Sequence, residues 1–367
     1  MQIRLVTNSE EAVRCINFWH EVYRDLPCWV PPDRHESEAM LMGRNSAAAD
    51  TQVQTFFVED GDRIAASITA VRDETYVRHR NEQTGHLLCF EAFPGEEDAV
   101  RALMEAACGW LRERSCVAAR LSLLPGWRLP LTIDGYDAPP TFFHVYNPPY
   151  YHGYIKSAGF VTEKGCVEYQ VKFSPELAGR YQEMVKRALD SGVRLRNWDM
   201  DRLEEESGLF GELFNETFSS HWGFMPLTTA LFDDLTVGLR DFLVRDFLVF
   251  AEVDGQSVGF VYALPDLNQA LHALRSRPIG EDPSELDKLF GEVNHGVLLI
   301  IGVREAFRGR GINLAMSAMS YLAMMERGYK SASYTMVLDD NWPSRRTAEK
   351  LGAHVVRNFN VYRRELK

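Results

Sequence analysis

One glycine-containing turn constrains the fold of this chain more than any other stretch. Residues 304–311 lie between an apolar run at 297–303 and a long apolar segment at 314–325. The first run is typical of a buried strand and the second of a helix. A strand that passes through a turn into a helix leaves unpaired N–H groups at the positive end of the helix dipole. The pattern therefore predicts an anion site at the start of this helix.

Arginine and glycine alternate in this turn. Because Gly309 and Gly311 lack a Cβ, the backbone can approach a phosphate closely. Arg308 and Arg310 would add charge-assisted donors of about 1.5–3 kcal/mol each. For so short a motif the alternative is a surface turn with two solvated arginines, and the flanking chain has to decide between the two.

Length and charge restrict the class of protein. With 367 residues the chain exceeds the usual size of one domain, so we expect two. The 40 basic and 52 acidic residues give a formal charge of −12, which disfavours nucleic acid and anionic membranes as partners. No apolar run approaches the roughly 18 residues of a membrane span, and the N-terminus runs directly into a strand-like pattern. We therefore expect neither a signal peptide nor an integral membrane segment.

The cysteines give a further constraint. None belongs to a C-x-x-C pair and none has a companion histidine pattern, so we expect reduced thiols, no structural metal and a cytoplasmic protein. All six lie in the first half of the chain: Cys15, Cys28, Cys89, Cys108, Cys116 and Cys166.

The predicted elements follow a similar order in the two halves of the chain. The first half is expected to contain strands at 3–6, 53–59, 63–72, 86–93, 117–123 and 166–173, and helices at 10–23, at 96–114 and in a short segment ending at 157. The second half is expected to contain helices at 175–189, 201–217, 228–239, 312–327 and 343–351, and strands at 193–198, 247–253, 257–264, 297–303, 331–338 and 354–363. A helix-prone insertion is expected at 266–290.

The two halves also end alike, which predicts an internal duplication. The stretch 341–353 resembles 147–160, and each is followed by a strand rich in Val and Tyr. We place the boundary near Ser174, so that the domains are 1–173 and 174–367. The stretch that matches the glycine turn is Phe-Pro-Gly-Glu-Glu at 93–97, with acidic residues and no arginine. Only the second half is therefore expected to hold an anionic ligand.

The second half resembles the GCN5-related N-acetyltransferase (GNAT) superfamily. Residues 308–313, Arg-Gly-Arg-Gly-Ile-Asn, match its pyrophosphate loop, Arg/Gln-x-x-Gly-x-Gly/Ala, except at the last position. Asn341, Ser344 and the Glu-Lys-Leu-Gly run at 349–352 match its second block. The motifs lie in residues 190–367, and the first half matches only in its order of elements. The chain thus resembles a tandem GNAT protein with a degenerate N-terminal copy.

The resemblance implies a mixed α+β fold, in which each copy is a mixed, mostly antiparallel sheet flanked by helices. In the C-terminal copy, strands 297–303 and 331–338 would diverge and hold the pantetheine arm of acetyl-CoA or a longer acyl-CoA. Asn341 would hold the upper arm of coenzyme A, cap the helix that begins at Pro343, or do both. The residues implied to contact coenzyme A are Ile301, Gly302, Val303, Arg308, Gly309, Arg310, Gly311, Ile312, Asn313, Asn341 and Ser344.

The proton donor usual in the family is absent, because Ala348 stands where many members have a tyrosine. A thiol with a pKa of about 8.5 can leave without full protonation. Tyr334 and Tyr362 are candidate substitutes, with a packed aromatic as the alternative for each. Asn313 adds a side chain at the last motif position, for which we expect a local adjustment and not exclusion of the ligand.

A base is also required, because an ammonium of pKa about 10 is not a nucleophile until it loses a proton. Glu292 and His295 precede the strand that leads into the turn, where family members often place a base. His221, with Trp222 and Phe224, falls in the region that corresponds to the family's substrate-binding helices. A structural or solvated histidine is the alternative for both histidines.

These features favour an acyl-CoA-dependent N-acyltransferase that acts on a primary amine, carried by a small molecule or a lipid-like amino-alcohol. Acetyl is the expected acyl group, and a long-chain acyl-CoA with a sphingoid-type amine is the alternative. The first domain would then close the acceptor pocket. Duplicated GNAT proteins include enzymes for acyl groups longer than acetyl, among them bacterial ones that acylate long-chain amino-alcohols in sphingolipid synthesis. The methionine-rich helix at 314–325 would line an acyl channel or form core.

Two other functions are alternatives to this one. A non-catalytic acyl-CoA sensor or scaffold agrees with the missing tyrosine at Ala348. A nucleotide-binding protein would need a lysine and a Ser/Thr after the glycine turn, and Ile312 and Asn313 supply neither. The sequence leaves the oligomeric state open, with a homodimer among the alternatives.

Overall fold

The computed structural model describes residues 1–44, 50–121, 130–227, 232, 236, 238–274 and 288–367. Contacts within the chain divide it into one unit of residues 1–165 and 358–367 and a second unit of residues 166–357. The division falls before the predicted boundary near Ser174, and it assigns the end of the chain to the first unit. The reason is strand pairing, because residues 362–365 pair with residues 118–121 of the first unit.

The strands of the first unit are β1 (Gln2–Leu5), β2 (Thr51–Asp60), β3 (Arg63–Asp73), β4 (Thr84–Ala92), β5 (Ala118–Leu121), β6 (Leu131–Thr132), the first part of β7 (Val161–Lys172) and the last part of β13 (His354–Glu365). Its helices are α1 (Ser9–Val22), α2 (Arg34–Leu41), α3 (Glu74–Arg80), α4 (Glu97–Glu113) and α5 (Tyr151–Ser157). The sheet has the order β1-β2-β3-β4-β5-β13. β4 and β5 pair in parallel, and the other neighbours in this order pair antiparallel.

The second unit is built on a sheet in the order β7-β12-β11-β10-β9-β8. Its strands are the rest of β7, β8 (Arg194–Asn197), β9 (Val249–Val253), β10 (Gln256–Pro265), β11 (His295–Val303), β12 (Ser331–Leu338) and the start of β13. Its helices are α6 (Pro175–Asp190), α7 (Leu203–Phe218), α8 (Leu267–Leu274), α9 (Ile312–Glu326) and α10 (Trp342–Lys350). β11 and β12 pair in parallel and the other neighbours antiparallel, which confirms the predicted mixed α+β fold.

Two helix starts show how the sequence sets these elements. The Ser174 side chain accepts a hydrogen bond from the backbone N–H of Leu177, and Pro175 follows it, so α6 has a side-chain cap and a proline in its first turn. Asn8 caps α1 in the same manner by accepting from the Glu11 N–H. Such short-range signals explain why most of the predicted helices agree with the structure to within a few residues.

The methionine-rich helix α9 packs on the sheet of the second unit. Met316 and Met324 are fully buried. A Cβ built on Gly296 would lie 2.4 Å from Met324 Sδ, and one on Gly259 would lie 3.0 Å from Met316 Cε. These glycines of β11 and β10 let the methionines approach the strands closely, so both side chains belong to the core.

Some expectations differ from the structure. The helices α2 and α3 were not predicted from the sequence. Most of the predicted helix at 228–239 lies outside the described residues, as does the middle of the predicted insertion at 266–290, whose start forms α8. In the part of the chain that the structure describes, no helix combines the length and the apolar composition of a membrane span.

Candidate active site

β11 and β12 run side by side over four residues and then separate. Their pairing extends from His295 opposite Ser331 to Leu298 opposite Tyr334. Beyond that point, residues 299–301 of β11 are half-buried, as are Met336 and Leu338 of β12. The two strands therefore form a wedge with apolar walls, which confirms the predicted divergence. We call this opening the wedge.

The wedge begins at Leu299, which is paired neither with β10 nor with β12. On β10, Tyr262 lies opposite Ile300 and Ala263 lies opposite Leu298, so Leu299 has no Cα partner there. Pairing with β12 ends one residue earlier, at Leu298. A bulge of this kind interrupts the ladder and leaves backbone polar groups without a strand partner. Leu299 is thus the residue at which the ladder is interrupted, at the base of the wedge.

At the far end of β11, the glycine turn leads into α9. Gly309 and Gly311 have φ angles of 80° and 76°, a left-handed conformation that favours glycine. A Cβ at either position would have no atom within 4 Å, so the space beside the turn is open. Gly311 is the N-cap of α9 and no side chain caps the helix, whose first internal bond runs from Ala315 N to Gly311 O. Among the described residues, the N–H groups of 309–311 have no backbone acceptor. This geometry is typical of anion sites at helix N-termini.

The two arginines of the turn have different surroundings. Arg308 donates from Nε to the Val303 carbonyl at 3.0 Å and from Nη2 to the Thr217 carbonyl at 3.1 Å. Its guanidinium therefore lies at the C-terminal end of α7, where a cation is favoured by the helix dipole. Arg310 is exposed, with its guanidinium carbon 5.7 Å from the centre of the Phe307 ring. In this structure the charge that is free to reach an anion is that of Arg310.

Side-chain hydrogen bonds stabilise α10 at its start and connect it to α9. The Asn341 side chain accepts from the Ser344 N–H at 3.3 Å, so the capping role considered for Asn341 is observed. Asn313 Nδ2 donates to Thr347 Oγ1 at 2.7 Å. The Asn313 side chain is therefore bonded to α10.

Tyr334 lies at the base of the wedge, as the last residue of β12 that pairs with β11. Its hydroxyl is 2.9 Å from Ser344 Oγ, and its side chain is almost fully buried. Burial raises the pKa of Tyr334 to about 12, although the hydrogen bond with Ser344 acts in the opposite direction. The hydroxyl therefore keeps its proton at neutral pH. Tyr362 belongs to the first unit, where its hydroxyl lies 2.7 Å from His152 Nδ1.

His295 is buried and bonded through both ring nitrogens. Nδ1 lies 2.7 Å from Ser331 Oγ and Nε2 lies 2.9 Å from Ser333 Oγ. Burial lowers the pKa of His295 to about 4, with Glu168 opposing this change. The imidazole is therefore neutral at physiological pH, and it joins β11 to β12 just before the wedge.

Glu168 of β7 belongs to the same hydrogen-bond network as His295, and it was not predicted from the sequence. Ser333 Oγ donates to Glu168 Oε1 at 2.6 Å, and Arg357 Nη1 lies 3.6 Å from Glu168 Oε2. Only 1% of Glu168 is exposed. Its place in an alternating strand sequence predicts a solvent-facing side chain, so its burial follows from contacts that are distant in sequence.

The residues predicted on the acceptor side follow α7 along the chain. His221 is half-buried beside Phe218, with ring centres 4.6 Å apart. Burial, and then the charge of Arg308, lower the pKa of His221. Phe224 is buried against Phe214, so it belongs to the core around α7, and Trp222 is half-buried.

Glu292 is exposed in the turn before β11, where its backbone N–H bonds to the Lys288 and Leu289 carbonyls. Unlike His295, the Glu292 side chain is therefore not buried. Within the described ranges, no three His, Cys, Asp or Glu side chains form a group that could hold a metal ion.

The first unit fills the corresponding place with its own side chains. β4 pairs with β5 only over residues 84–87, and its last residue, Ala92, is bonded by two tyrosines of the α5 region. The Ala92 N–H donates to Tyr151 Oη at 2.9 Å, and Tyr150 Oη donates to the Ala92 carbonyl at 2.8 Å. Both backbone groups of the residue that ends β4 are thus bonded by tyrosine side chains.

A third tyrosine occupies the start of α4. The Glu96 N–H donates to Tyr154 Oη at 3.0 Å, and Tyr154 Oη donates to the Phe93 carbonyl at the same distance. Glu96 also forms an ion pair with Arg63. The segment that matches the glycine turn is therefore closed by protein groups and carries a carboxylate.

Comparison with solved structures shows what this arrangement is. The chain superposes on a tandem GNAT protein from the clavulanic acid biosynthesis pathway with a TM-score of 0.55 at 14% identity, covering 100% of this chain and 99% of that one. It also superposes on a GCN5-related glucosamine N-acetyltransferase region of a fungal multi-domain GH3 β-N-acetylglucosaminidase, with a TM-score of 0.62 at 16% identity. That match covers 99% of this chain and 38% of the fungal one. The fold is therefore a tandem GNAT fold, as the sequence predicted.

At the level of sequence, the chain is similar to the bacterial ceramide synthase of Caulobacter vibrioides (strain NA1000 / CB15N). The two are 28% identical over 352 residues, which cover 93% of this chain and 91% of the relative. The chain matches no model of a known protein family.

Proposed function

We propose that this protein is an acyl-CoA-dependent N-acyltransferase. The observation that carries the proposal is that one strand, β11, joins the wedge at Leu299 to the open helix start at Gly311. Coenzyme A has a pantetheine arm, which needs backbone partners, and a pyrophosphate, which needs N–H donors. β11 and the glycine turn that follows it offer these two kinds of partner in that order along the chain. The residues that would hold it are Ile301, Gly302, Val303, Arg308, Gly309, Arg310, Gly311, Ile312, Asn313, Asn341 and Ser344. Arg308, Asn341 and Asn313 would contribute mainly by shaping the turn and α10.

The reaction forms a C–N bond between a primary amine and the thioester carbonyl and breaks the C–S bond. Negative charge develops on the carbonyl oxygen, and the backbone N–H of the bulge residue Leu299 is the group we assign to its stabilisation. The thiolate then needs a proton, for which the protonated Tyr334 at the base of the wedge is the candidate donor. Of the bases considered from the sequence, His295 is favoured over Glu292 by its burial and over His221 by its position on β11.

For the acceptor we propose a long-chain amino-alcohol, and for the donor a long-chain acyl-CoA. A ceramide is the N-acyl derivative of such an amino-alcohol, and the similarity to a bacterial ceramide synthase supports this class.

A catalytically silent acyl-CoA sensor is the second candidate. It is favoured by one observation, the fully buried Ala348 at the position of the usual proton donor. Both candidates require the same coenzyme A site, so binding alone does not separate them.

The test is release of free coenzyme A by the full-length protein. Acetyl-CoA and palmitoyl-CoA are each supplied with a panel of amines that includes a sphingoid base. We expect release with palmitoyl-CoA and the sphingoid base, and strongly reduced release by Arg310→Glu, which introduces the charge found in the first unit. Arg101→Glu, an exposed arginine on α4, is the matched control. Tight binding without release for any acceptor would leave the sensor as the function.

A further inference from the structure

We propose that Ser331, His295, Ser333 and Glu168 form a proton relay that carries the proton of the acceptor amine from the half-buried Ser331 to the buried Glu168. The inference rests on the proposed function and extends it, because it assigns the base function to a chain of groups and not to one side chain. Glu168 is the end of this relay and has no role in the coenzyme A site described above.

The relay is continuous. The three links are 2.7 Å from Ser331 Oγ to His295 Nδ1, 2.9 Å from His295 Nε2 to Ser333 Oγ, and 2.6 Å from Ser333 Oγ to Glu168 Oε1. His295, Ser333 and Glu168 are buried, whereas Ser331 is half-buried. A carboxylate this deeply buried cannot meet an amine directly, so a proton has to reach it through the other members, of which Ser331 is the most exposed.

The hydrogen bonds have one consistent direction. The Glu168 carboxyl accepts through Oε1 from Ser333 Oγ, and its Oε2 lies 3.6 Å from Arg357 Nη1. Ser333 therefore donates to Glu168 and must accept from His295 Nε2–H. Nδ1 then carries the lone pair and accepts from the Ser331 hydroxyl. Every proton in the resting relay points toward Glu168.

This direction fits the transfer of one proton inward. An amine N–H bond breaks and Ser331 gains that proton through a chain of waters, while its own proton passes to Nδ1. The waters are needed because three residues of paired strand, about 10 Å, separate Ser331 from the wedge. The Nε2 proton passes to Ser333, and the Ser333 proton passes to Glu168. Each intermediate group loses one proton and gains one, and only Glu168 is left protonated. After the amide leaves, the proton returns by the same links to solvent at Ser331, and Tyr334, which has given its proton to the thiolate, regains one from solvent. The net reaction thus transfers one proton from the amine to the thiol.

The position of the relay agrees with the direction from which an amine must come. The glycine turn follows the end of β11 at Val303, so coenzyme A would enter the wedge from that end. The acceptor would then approach from the other end of the strand pair, where His295 and Ser331 begin β11 and β12. The half-buried end of the relay is therefore on the acceptor side.

The first unit supplies an internal comparison. Its parallel pair also covers four residues, with Thr84 opposite Ala118 where the second unit has His295 opposite Ser331. A glycine follows in both strands, and a Cβ on Gly85 would collide with α4 just as one on Gly296 would collide with α9. The two parallel pairs are thus equivalent residue by residue.

The same register identifies the other two positions. Arg120 occupies the place of Ser333, and because Tyr362 pairs with Leu121 as Tyr169 pairs with Tyr334, Val361 occupies the place of Glu168. The copy without an open anion turn thus lacks the histidine, both serines and the carboxylate. The strand pair folds without them, so the relay is not a requirement of the fold.

The test is the pH dependence of kcat for the full-length protein with saturating palmitoyl-CoA and a sphingoid base, from pH 6 to 9. In the unaltered protein we expect kcat to reach a plateau. In Glu168→Gln we expect kcat to be about 10²-fold lower at pH 7 and to rise by about tenfold per pH unit as hydroxide replaces the relay. Added imidazole should restore part of the rate. KM for palmitoyl-CoA should not change, because the glycine turn is untouched.

Further variants keep the test decisive if Glu168→Gln does not fold. Ser333→Ala should behave like Glu168→Gln, and Ser333→Thr, which retains the hydroxyl, should recover most of the rate. Thr84→Ala, at the equivalent place in the first unit, should leave kcat unchanged. A folded Glu168→Gln or Ser333→Ala protein with the plateau of the unaltered protein and no response to imidazole would overturn the relay while leaving the proposed function intact. Absence of transfer by the unaltered protein would overturn both.

Discussion

The hydroxyl of Tyr334 lies 2.9 Å from Ser344 Oγ and joins the base of the wedge to the first turn of α10. Ser344 is also bonded through its backbone N–H to Asn341, so the Tyr334 hydroxyl is held on a rigid helix start. This contact places a buried, protonated donor beside the opening in a protein whose α10 carries alanine at position 348.

Tyr334→Phe removes this donor and should lower kcat by up to about 10²-fold, since a thiolate can leave without full protonation. Because burial raises the pKa of Tyr334 to about 12, its deprotonation should not limit the rate below pH 9. Tyr362→Phe, which affects a hydroxyl of the first unit, is the control and should keep kcat. Steady-state rates of acyl transfer check both variants, and equal rates for the two would argue against Tyr334 as the donor.

Arg308 and Arg310 should respond differently to substitution. Arg310→Gln should weaken coenzyme A binding by about 10- to 100-fold, the value of one charge-assisted hydrogen bond, with little change in thermal stability. Arg308→Gln should lower the melting temperature, because the Val303 and Thr217 carbonyls lose their donor. Calorimetric titration with coenzyme A and thermal unfolding separate the two effects. A lower affinity for Arg308→Gln at unchanged stability would contradict this division of roles.

His295 should make the second unit sensitive to acid. Its pKa is lowered to about 4 in the folded protein, whereas an unfolded histidine titrates near 6.5, so the unfolded state binds more protons between these values. The free energy of unfolding should therefore be unaffected above about pH 6.5 and fall by about 3 kcal/mol as the pH drops to 4.

The comparison is between the unaltered protein and His295→Gln in urea unfolding at several pH values. His295→Gln should be less stable at neutral pH, where it loses packing and hydrogen bonds, and should show a smaller loss on acidification. Parallel pH dependences for the two proteins would show that His295 is not the group responsible.

The tyrosines of the first unit predict one molecule of coenzyme A per chain. Tyr150, Tyr151 and Tyr154 take the backbone groups that a ligand would need, and Glu96 adds a like charge. Tyr151→Phe should destabilise the first unit by about 1–2 kcal/mol, because the buried Ala92 N–H loses its acceptor, without changing coenzyme A affinity. Titration calorimetry gives the stoichiometry, and a value near two would refute this interpretation.

The sequence was informative where the signals are local. The glycine turn and the strand-helix order depend on neighbouring residues, and they were predicted. Glu168 was missed because Val167, Tyr169 and Val171 face the core, which places Glu168 on the other face of the strand. Its burial there depends on Ser333, which is 165 residues away. The orientation of Arg308 likewise depends on a carbonyl 91 residues earlier.

The return of residues 358–367 to the first unit has a consequence for how the chain is made. A ribosome completes everything in the second unit before it produces the strand that pairs with β5. The first unit is therefore the first to be started and the last to be completed. Until β13 has been synthesised, the edge of β5 is unpaired and is able to pair with other chains. Removing residues 358–367 would therefore disrupt the first unit and not the second unit, although the second unit directly precedes these residues in the sequence.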